Sequence, residues 1–281
     1  MATPRLASFR LPAADGGELY VDSRSGARQG ETRPAVVICH GFKGFKDWGF
    51  FPKLAERLAT AGFTAVSFNF SGSGVGAGDV FDEPERWARQ RPSADLADLQ
   101  TVCDWVTGEG APWLGLVGHS RGGGLAILHA ARDPRVRSLV TWSAIATVDR
   151  WTATEMARWR RDGMIDVVNS RTGQVLPIYL SALEDIEANA SGTLDIQGAA
   201  GRLTIPWLIV HGSGDKSVQP DEARALAAAS GSPRTELLLL EGAEHTFGIK
   251  HPWAGSTVEF DEVLERTTGF LASALDPSSP P

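Results

Sequence analysis

Three residues of this 281-residue chain have side chains suited to nucleophilic catalysis, and each lies in a segment that contains glycine. Ser120 lies in GHSRG at 118–122, which matches the pattern G-x-S-x-G. Asp215 follows HGSG at 211–214, and His245 follows GAE at 242–244. A serine hydroxyl is a weak nucleophile near neutral pH, so it needs a histidine base and an acid that fixes the tautomer of that base. The sequence therefore predicts Ser120 as nucleophile, His245 as general base and Asp215 as the orienting carboxylate.

Each of these residues also has a purely structural explanation. A glycine-rich turn is common between a strand and a helix, an acid after Gly-x is common in loops, and a histidine can cap a helix or face solvent. Asp221 and His251 are reserve candidates for the acid and the base. They are weaker because Asp221 fits a helix start after Pro220 and His251 precedes Pro252.

A second motif, HGFKG at 40–44, could complete the chemistry. It follows an apolar segment, and backbone N–H groups in such a loop can stabilise the oxyanion of a tetrahedral intermediate. The candidate donors are the N–H groups of Phe42 and Arg121. A metal site is a further hypothesis, with His211, Asp215, His245 and His251 as its ligands. The spacing of these residues fits no standard ligand pattern, and the metal would occupy the predicted catalytic residues. No metal and no cofactor is expected.

Short apolar segments alternate with segments of helical length, which is typical of buried parallel strands joined by crossover helices. The predicted strands are 35–39, 64–68, 113–117, 136–142, 206–210 and 235–240, preceded by a hairpin of 6–11 and 18–22. The predicted helices are 48–61, 93–106 with Ser93 as its cap, 121–131, 221–229 and 258–275. Ser120, Asp215 and His245 each come just after a strand, at the edge of the sheet where such ends meet. The fold class is therefore α/β.

One segment, 147–200, interrupts this alternation because it contains no convincing buried strand. It is interpreted as a helical cap inserted into one core domain, with the core formed by 1–146 and 201–275 and a disordered tail at 276–281. Its aromatic residues and a neighbouring tryptophan could line a substrate pocket, although tryptophans at such spacing more often pack a cap onto a core. These low-ranked pocket residues are Trp142, Trp151, Trp159 and Tyr179.

The composition excludes several classes of protein. The net charge is −7, with 27 basic and 34 acidic residues intermixed, so no basic face is available for nucleic acid. No apolar run is long enough for a membrane span or a signal peptide, which makes a cytoplasmic protein the expectation. Cys39 and Cys103 are too few for a disulfide framework and are expected to be reduced, buried and inert. The glycine-rich loop 71–79 lacks a phosphate-binding motif and is interpreted as a flexible rim of the active site.

Together, the motifs resemble the α/β-hydrolase superfamily over nearly the whole chain: HGF at 40–42, SGSG at 71–74, GHSRG at 118–122, HGSGD at 211–215 and EH at 244–245. The size and the HGF motif resemble bacterial carboxylesterases of the cinnamoyl or feruloyl esterase kind, and serine aminopeptidase-like hydrolases are also similar. The resemblance implies a mostly parallel eight-stranded sheet flanked by helices, with a helical cap insertion and no cofactor.

The predicted function is hydrolysis of small to medium or aromatic acyl esters through an acyl-enzyme intermediate. The same machinery serves peptidases, aminopeptidases and thioesterases, so the sequence does not decide which type of bond is cleaved. A different class of function is a hydrolase-like protein that binds a ligand without converting it. The expected partner is a small-molecule ester, with neither nucleic acid nor a membrane span, and a homodimer is left open.

Overall fold

The computed structural model describes residues 4–28, 30–169 and 172–275, and the tail expected to be disordered, 276–281, lies outside them. The main sheet has eight strands: β1 (Arg5–Pro12), β2 (Glu18–Ser25), β3 (Ala35–Cys39), β4 (Thr64–Phe68), β5 (Leu114–His119), β6 (Val136–Trp142), β9 (Trp207–Gly212) and β10 (Thr235–Leu240). Their order across the sheet is β1-β2-β4-β3-β5-β6-β9-β10. β1 and β2 form an antiparallel hairpin, and β2 also pairs antiparallel with β4. The neighbouring strands β4, β3, β5, β6, β9 and β10 pair in parallel.

The predicted strands are present, and β3, β4, β6 and β10 have the predicted bounds. β5 and β9 both run two residues further than predicted, to His119 and Gly212. Neither residue is a strong strand former, but His119 pairs with Trp142 of β6 and Gly212 pairs with Leu240 of β10. Pairing with neighbouring strands therefore extends both strands beyond their apolar runs.

Nine helices lie in the described ranges: α1 (Phe51–Thr60), α2 (Pro84–Ala88), α3 (Pro92–Gly108), α4 (Arg121–Ala130), α5 (Ala153–Asp162), α6 (Leu180–Asn189), α7 (Ile196–Ala200), α8 (Pro220–Ala229) and α9 (Val258–Ser273). α3, α4, α7 and α8 cover one face of the sheet, and α1 and α9 cover the other. Two apolar cores result, as expected for a parallel sheet buried on both faces. Within these ranges no helix has both the length and the apolar character that a membrane crossing requires.

Three local predictions from the sequence were wrong. Ser93 does not cap α3, which begins at Pro92; its backbone N–H instead donates to the Asp185 carboxylate of α6 at 2.9 Å. The loop 71–79 was expected to be a flexible rim, but its first six residues, 71–76, are buried and the Ser71 N–H donates to Asp98 at 2.8 Å, so that only 77–79 are exposed. The segment 147–200 contains, besides helices, a hairpin of β7 (Met164–Val168) and β8 (Val175–Tyr179).

The sequence pattern did not predict this hairpin because only one of its faces is apolar and buried. Ile165, Leu176 and Ile178 point inward, whereas Met164 and Val175 are exposed. Such alternation is typical of a half-buried antiparallel strand and gives a weaker signal than the continuous apolar runs of the main sheet.

Both cysteines are free and buried, as predicted. Cys39 lies in β3 and Cys103 in α3, where burial raises the pKa of each thiol well above its ordinary value. Because the thiolate is the reactive form, burial keeps both side chains unreactive.

Gly122 provides a test of the packing beneath Ser120. A β-carbon at this position would lie 2.4 Å from the carbonyl oxygens of both Cys39 and His40, which are backbone atoms that cannot turn away. We expect Gly122→Ala to lower the free energy of unfolding by about 1–3 kcal/mol. The matched control is Gly108→Ala at the end of α3, where a β-carbon meets nothing within 4 Å. Urea unfolding of both variants checks this, and equal midpoints would contradict it.

Candidate active site

Ser120 lies on a sharp turn between β5 and α4. Its backbone adopts φ 56° and ψ −121°, a left-handed conformation that is strained for a residue with a side chain. Hydrogen bonds hold this conformation, since the Ser120 N–H donates to the Trp142 carbonyl at 2.9 Å and the Ser120 carbonyl accepts from Gly123 at 3.0 Å. A β-carbon on Gly118 would lie 2.3 Å from the Gly122 carbonyl oxygen, so only glycine allows this close approach.

Asp215 and His245 are hydrogen-bonded to each other although they are 30 residues apart, with Nδ1 of His245 donating to Oδ2 of Asp215 at 2.7 Å. The other oxygen, Oδ1, accepts from the backbone N–H groups of Ser217 at 2.8 Å and Val218 at 3.0 Å. Burial raises the pKa of the Asp215 carboxyl, but hydrogen bonds from His211 and His245 outweigh burial and hold the pKa well below its usual range. Asp215 is therefore ionised and holds the Nδ1 proton of His245.

Two further histidines support this pair. Nε2 of His211 donates to the Val218 carbonyl at 2.9 Å and lies 3.3 Å from Oδ2 of Asp215. Nε2 of His119 donates to the backbone carbonyl of His245 at 3.0 Å, which fixes the loop that carries the base. Burial, together with the nearby His245, lowers the pKa of His119 to about 3, so His119 is neutral. The sequence pointed to His211 only as a possible metal ligand, and nothing beyond its place in HGSGD indicated its contact with Asp215.

Ser120 and His245 open into one cavity of about 400 Å³. The size is within the usual range for a small-molecule site, about 300–1,000 Å³. Apolar residues of the segment 147–200 form much of its wall, namely Val148, Trp151, Trp159, Ile178, Ala182 and Ile186. The structure thus brings the predicted nucleophile and base to the same space, beside an apolar surface.

The loop 40–44 lies directly against Ser120. A β-carbon on Gly41 would lie 2.9 Å from Cβ of Ser120, which shows how closely the loop approaches. His40 anchors it, because its Nδ1 donates to the Gly41 carbonyl at 2.9 Å and its Nε2 accepts from the Phe70 N–H at 3.2 Å. Phe42 lines the cavity.

The backbone N–H groups of Phe42 and Arg121 have no hydrogen-bond partner among the described residues. Both residues line the cavity beside Ser120. Unpaired donors at this place can stabilise negative charge that develops on a bound carbonyl oxygen.

Two residues predicted to line the pocket do not. Trp142 is fully buried on the face of the sheet covered by α9, where its Nε1 donates to Thr267 at 2.9 Å. Tyr179 points away from the cavity, and its hydroxyl donates to Glu85 at 2.9 Å. Alternation along β8 turns the neighbouring Ile178 into the cavity in its place. Trp151 and Trp159 do line the cavity, with ring centroids 4.9 Å apart.

The reserve candidates lie elsewhere. Asp221 is in the first turn of α8, exposed and paired with Arg224 at 2.8 Å. His251 is partly buried, and its Nδ1 accepts from the Gly49 N–H at 3.1 Å. In the described ranges, no three His, Cys, Asp or Glu side chains are placed to hold a metal ion.

The fold and the site define an α/β hydrolase. Residues 30–177 match the sequence profile of the family described as "Serine aminopeptidase, S33", and the chain belongs to this hydrolase family. It is 27% identical over 237 residues to a 31.7 kDa protein from the traX-finO intergenic region of Escherichia coli, over 73% of this chain and 80% of that protein.

Solved structures share the fold. Est1E from Butyrivibrio proteoclasticus with ferulic acid bound is similar with a TM-score of 0.73 and 18% identity, covering 95% of this chain and 99% of that chain. Alpha/beta hydrolase domain-containing protein 10 from mouse is similar with a TM-score of 0.74 and 17% identity, covering 96% of this chain and 100% of that chain. At these identities the likeness establishes the fold.

Proposed function

We propose that this hydrolase cleaves carboxylic esters through an acyl-enzyme intermediate on Ser120. The observation that carries the proposal is the hydrogen bond between His245 and Asp215 next to a cavity that also contains Ser120. The Ser120 hydroxyl attacks the ester carbonyl while Nε2 of His245 takes its proton and then passes it to the departing alcohol. Water, activated by the same nitrogen, releases the acid.

The remaining groups stabilise charge in this reaction. Asp215 stays ionised and keeps the proton of His245 on Nδ1, which leaves Nε2 free to act as the base. The N–H groups of Phe42 and Arg121 hold the developing oxyanion, and each such donor is worth roughly a factor of 10²–10³ in rate.

We propose further that segment 147–200 is a cap on the core formed by 1–146 and 201–275. Its α5, β8 and α6 contribute cavity residues, and these are mostly apolar. A wall of tryptophan, isoleucine and alanine side chains suits an apolar, aromatic or medium-length acyl group.

An aminopeptidase is the alternative that the family description suggests. Recognition of a free amino group needs a carboxylate in the pocket, and Glu155 is the acidic side chain that lines the cavity in the described ranges. Its Oε2 already accepts from the N–H of Thr152 at 2.8 Å and from the Thr152 hydroxyl at 2.7 Å, in the capping box of α5. Esters therefore fit the cavity better than aminoacyl substrates.

The test is a comparison of initial rates on four kinds of substrate. These are nitrophenyl esters from acetate to octanoate, methyl hydroxycinnamates, acyl thioesters and aminoacyl anilides. We expect turnover of the esters at higher kcat/KM than of the anilides. Faster hydrolysis of anilides would favour the peptidase, and ligand binding by calorimetry without turnover of any compound would favour a binding protein.

Trp151 tests whether the cavity wall sets the choice of acyl group. Trp151 is only partly buried, so its replacement can be tolerated by the fold. We expect Trp151→Ala to change the ratio of kcat/KM for hydroxycinnamoyl and acetyl esters by roughly 10–200-fold. The control is Tyr179→Phe, which removes only the hydrogen bond to Glu85 outside the cavity and should keep the ratio. An equal loss on both esters in Trp151→Ala would show that Trp151 serves only packing.

A further inference from the structure

The cavity is lined by three basic side chains, of which two contact acidic side chains of the fold. Nη1 of Arg150 lies 2.7 Å from both carboxylate oxygens of Glu222. Nη1 of Arg121 donates to Gln90 at 2.6 Å, and its Nη2 lies 3.0 Å from a carboxylate oxygen of Asp95. Each of these two guanidinium groups therefore already has an acidic side chain beside it.

Lys43 is the third basic side chain, and its charge is not compensated. Its ammonium group donates to the Val168 carbonyl at 3.3 Å, and it forms no ion pair with an acidic side chain in the part of the chain that the structure describes. An ammonium group has three donors, so two remain for a ligand. Burial lowers the pKa of Lys43, as expected for a cation partly removed from water without a neighbouring anion.

Lys43 holds its positive charge close to the proposed reacting groups. Lys43 directly follows Phe42, the proposed oxyanion donor, and adopts a left-handed φ of 60° in the turn closed by the Gly44 N–H and the Gly41 carbonyl. Its ammonium lies 5.7 Å from the centroid of the Phe42 ring and reaches Val168 at the end of β7. The side chain therefore extends from the oxyanion loop to the proposed cap, along the cavity.

The other cavity residues disfavour an anion elsewhere. Trp159, Ile178 and Ile186 cannot pair with a negative charge. Hydrogen bonds with Thr152 lower the pKa of Glu155, so this carboxyl stays ionised and repels a second carboxylate. Among the side chains that line the cavity, Lys43 is therefore the one best placed to form an ion pair with an anionic substrate group.

We propose that Lys43 binds a carboxylate carried by the substrate, so that the preferred esters combine an apolar body with one negative charge. This inference rests on the proposed ester hydrolysis at Ser120. The carboxylate can belong to the acyl part, as in a monoester of a dicarboxylic acid, or to the alcohol part. Either way, Lys43 is a specificity-determining residue rather than a catalytic one.

Two matched substrate pairs test the proposal. The acyl pair is the mono-nitrophenyl ester of adipic acid and nitrophenyl hexanoate, and the alcohol pair is 4-hexanoyloxybenzoate and 4-hexanoyloxybenzamide. The variants are Lys43→Met, which keeps the length of the side chain without the charge, and Lys43→Arg, which keeps the charge. Lys53→Met is the control, because Lys53 is exposed on α1 and paired with Glu56.

In the pair that carries the recognised carboxylate, we expect Lys43→Met to lower the ratio of charged to neutral kcat/KM by roughly 10–100-fold, the usual worth of a charged hydrogen bond. Lys43→Arg and Lys53→Met should keep the ratio of the wild type. The pair that responds identifies the part of the ester that carries the charge.

Equal losses on charged and neutral esters in Lys43→Met would overturn the proposal, since a lysine that only tethers Val168 cannot distinguish them. Unchanged ratios in both pairs would overturn it as well. If the wild type hydrolyses none of the four esters, the proposed function fails instead. Calorimetry with monomethyl adipate then decides the role of Lys43, and an equal Kd for wild type and Lys43→Met contradicts it.

Discussion

Replacing Ser120 by alanine is expected to lower kcat for ester hydrolysis by about 10⁴–10⁶-fold, and His245→Ala should cause a loss of the same order. The two losses are similar because the hydroxyl and the imidazole act as one proton-transfer unit. Ser120→Ala removes one oxygen atom and leaves intact the backbone hydrogen bonds of the turn, from Ser120 to Trp142 and from Gly123 to Ser120. The fold should therefore survive, which circular dichroism checks.

Ser143→Ala is the matched control for this loss. Ser143 is also a buried serine at positive φ, 46°, and it follows β6 as Ser120 follows β5. It does not line the cavity, and its hydroxyl has no partner among the described residues. Its variant should keep activity near that of the wild type. A folded Ser120→Ala or His245→Ala protein that retains more than about a tenth of wild-type kcat would contradict the assignment.

Asp215→Asn is expected to lower kcat by roughly 10²–10⁴-fold with the geometry preserved. The amide oxygen can still accept from Ser217 and Val218, but the amide nitrogen then faces Nδ1 of His245 as a donor. The imidazole must place its proton on Nε2, where it can no longer take the proton of Ser120.

Asp221→Asn is the matched control for the acid, because it makes the same chemical change at an exposed carboxylate of α8 that is paired with Arg224. We expect this variant to keep wild-type kcat and KM. Steady-state kinetics of both variants on one nitrophenyl ester provide the measurement, and the reverse ranking would assign the acid role to Asp221.

The sequence predicts the elements that position the site because the physics involved is local. The inner strands of a parallel sheet are predominantly apolar, and β3, β4 and β6 were located by that feature, whereas β10 lies at an edge of the sheet and only its last residue is buried. Ser120 directly follows β5 and Asp215 comes three residues after the end of β9, so both lie at the common carboxyl edge of these strands. The rest of the site depends on this placement.

The features that the sequence could not predict depend on the direction in which side chains point and on contacts between segments that are distant along the chain. Trp142 and Tyr179 were placed at the pocket by their type, but the pleat of each strand turns them elsewhere. The contact of His211 with Asp215 and the surroundings of Lys43, which has no acidic partner among the described residues, arise only once separate segments pack together. No spacing rule along the chain encodes such contacts.

The most direct test of the central claim is labelling of the folded wild type with a fluorophosphonate probe, followed by peptide mass spectrometry. Such probes phosphonylate a serine that a neighbouring base has activated, so the experiment reports the nucleophile without any knowledge of the substrate. We expect a single modified residue, Ser120, with labelling lost in Ser120→Ala and strongly slowed in His245→Ala. Modification of a different serine, or no labelling of the folded wild type, would contradict it.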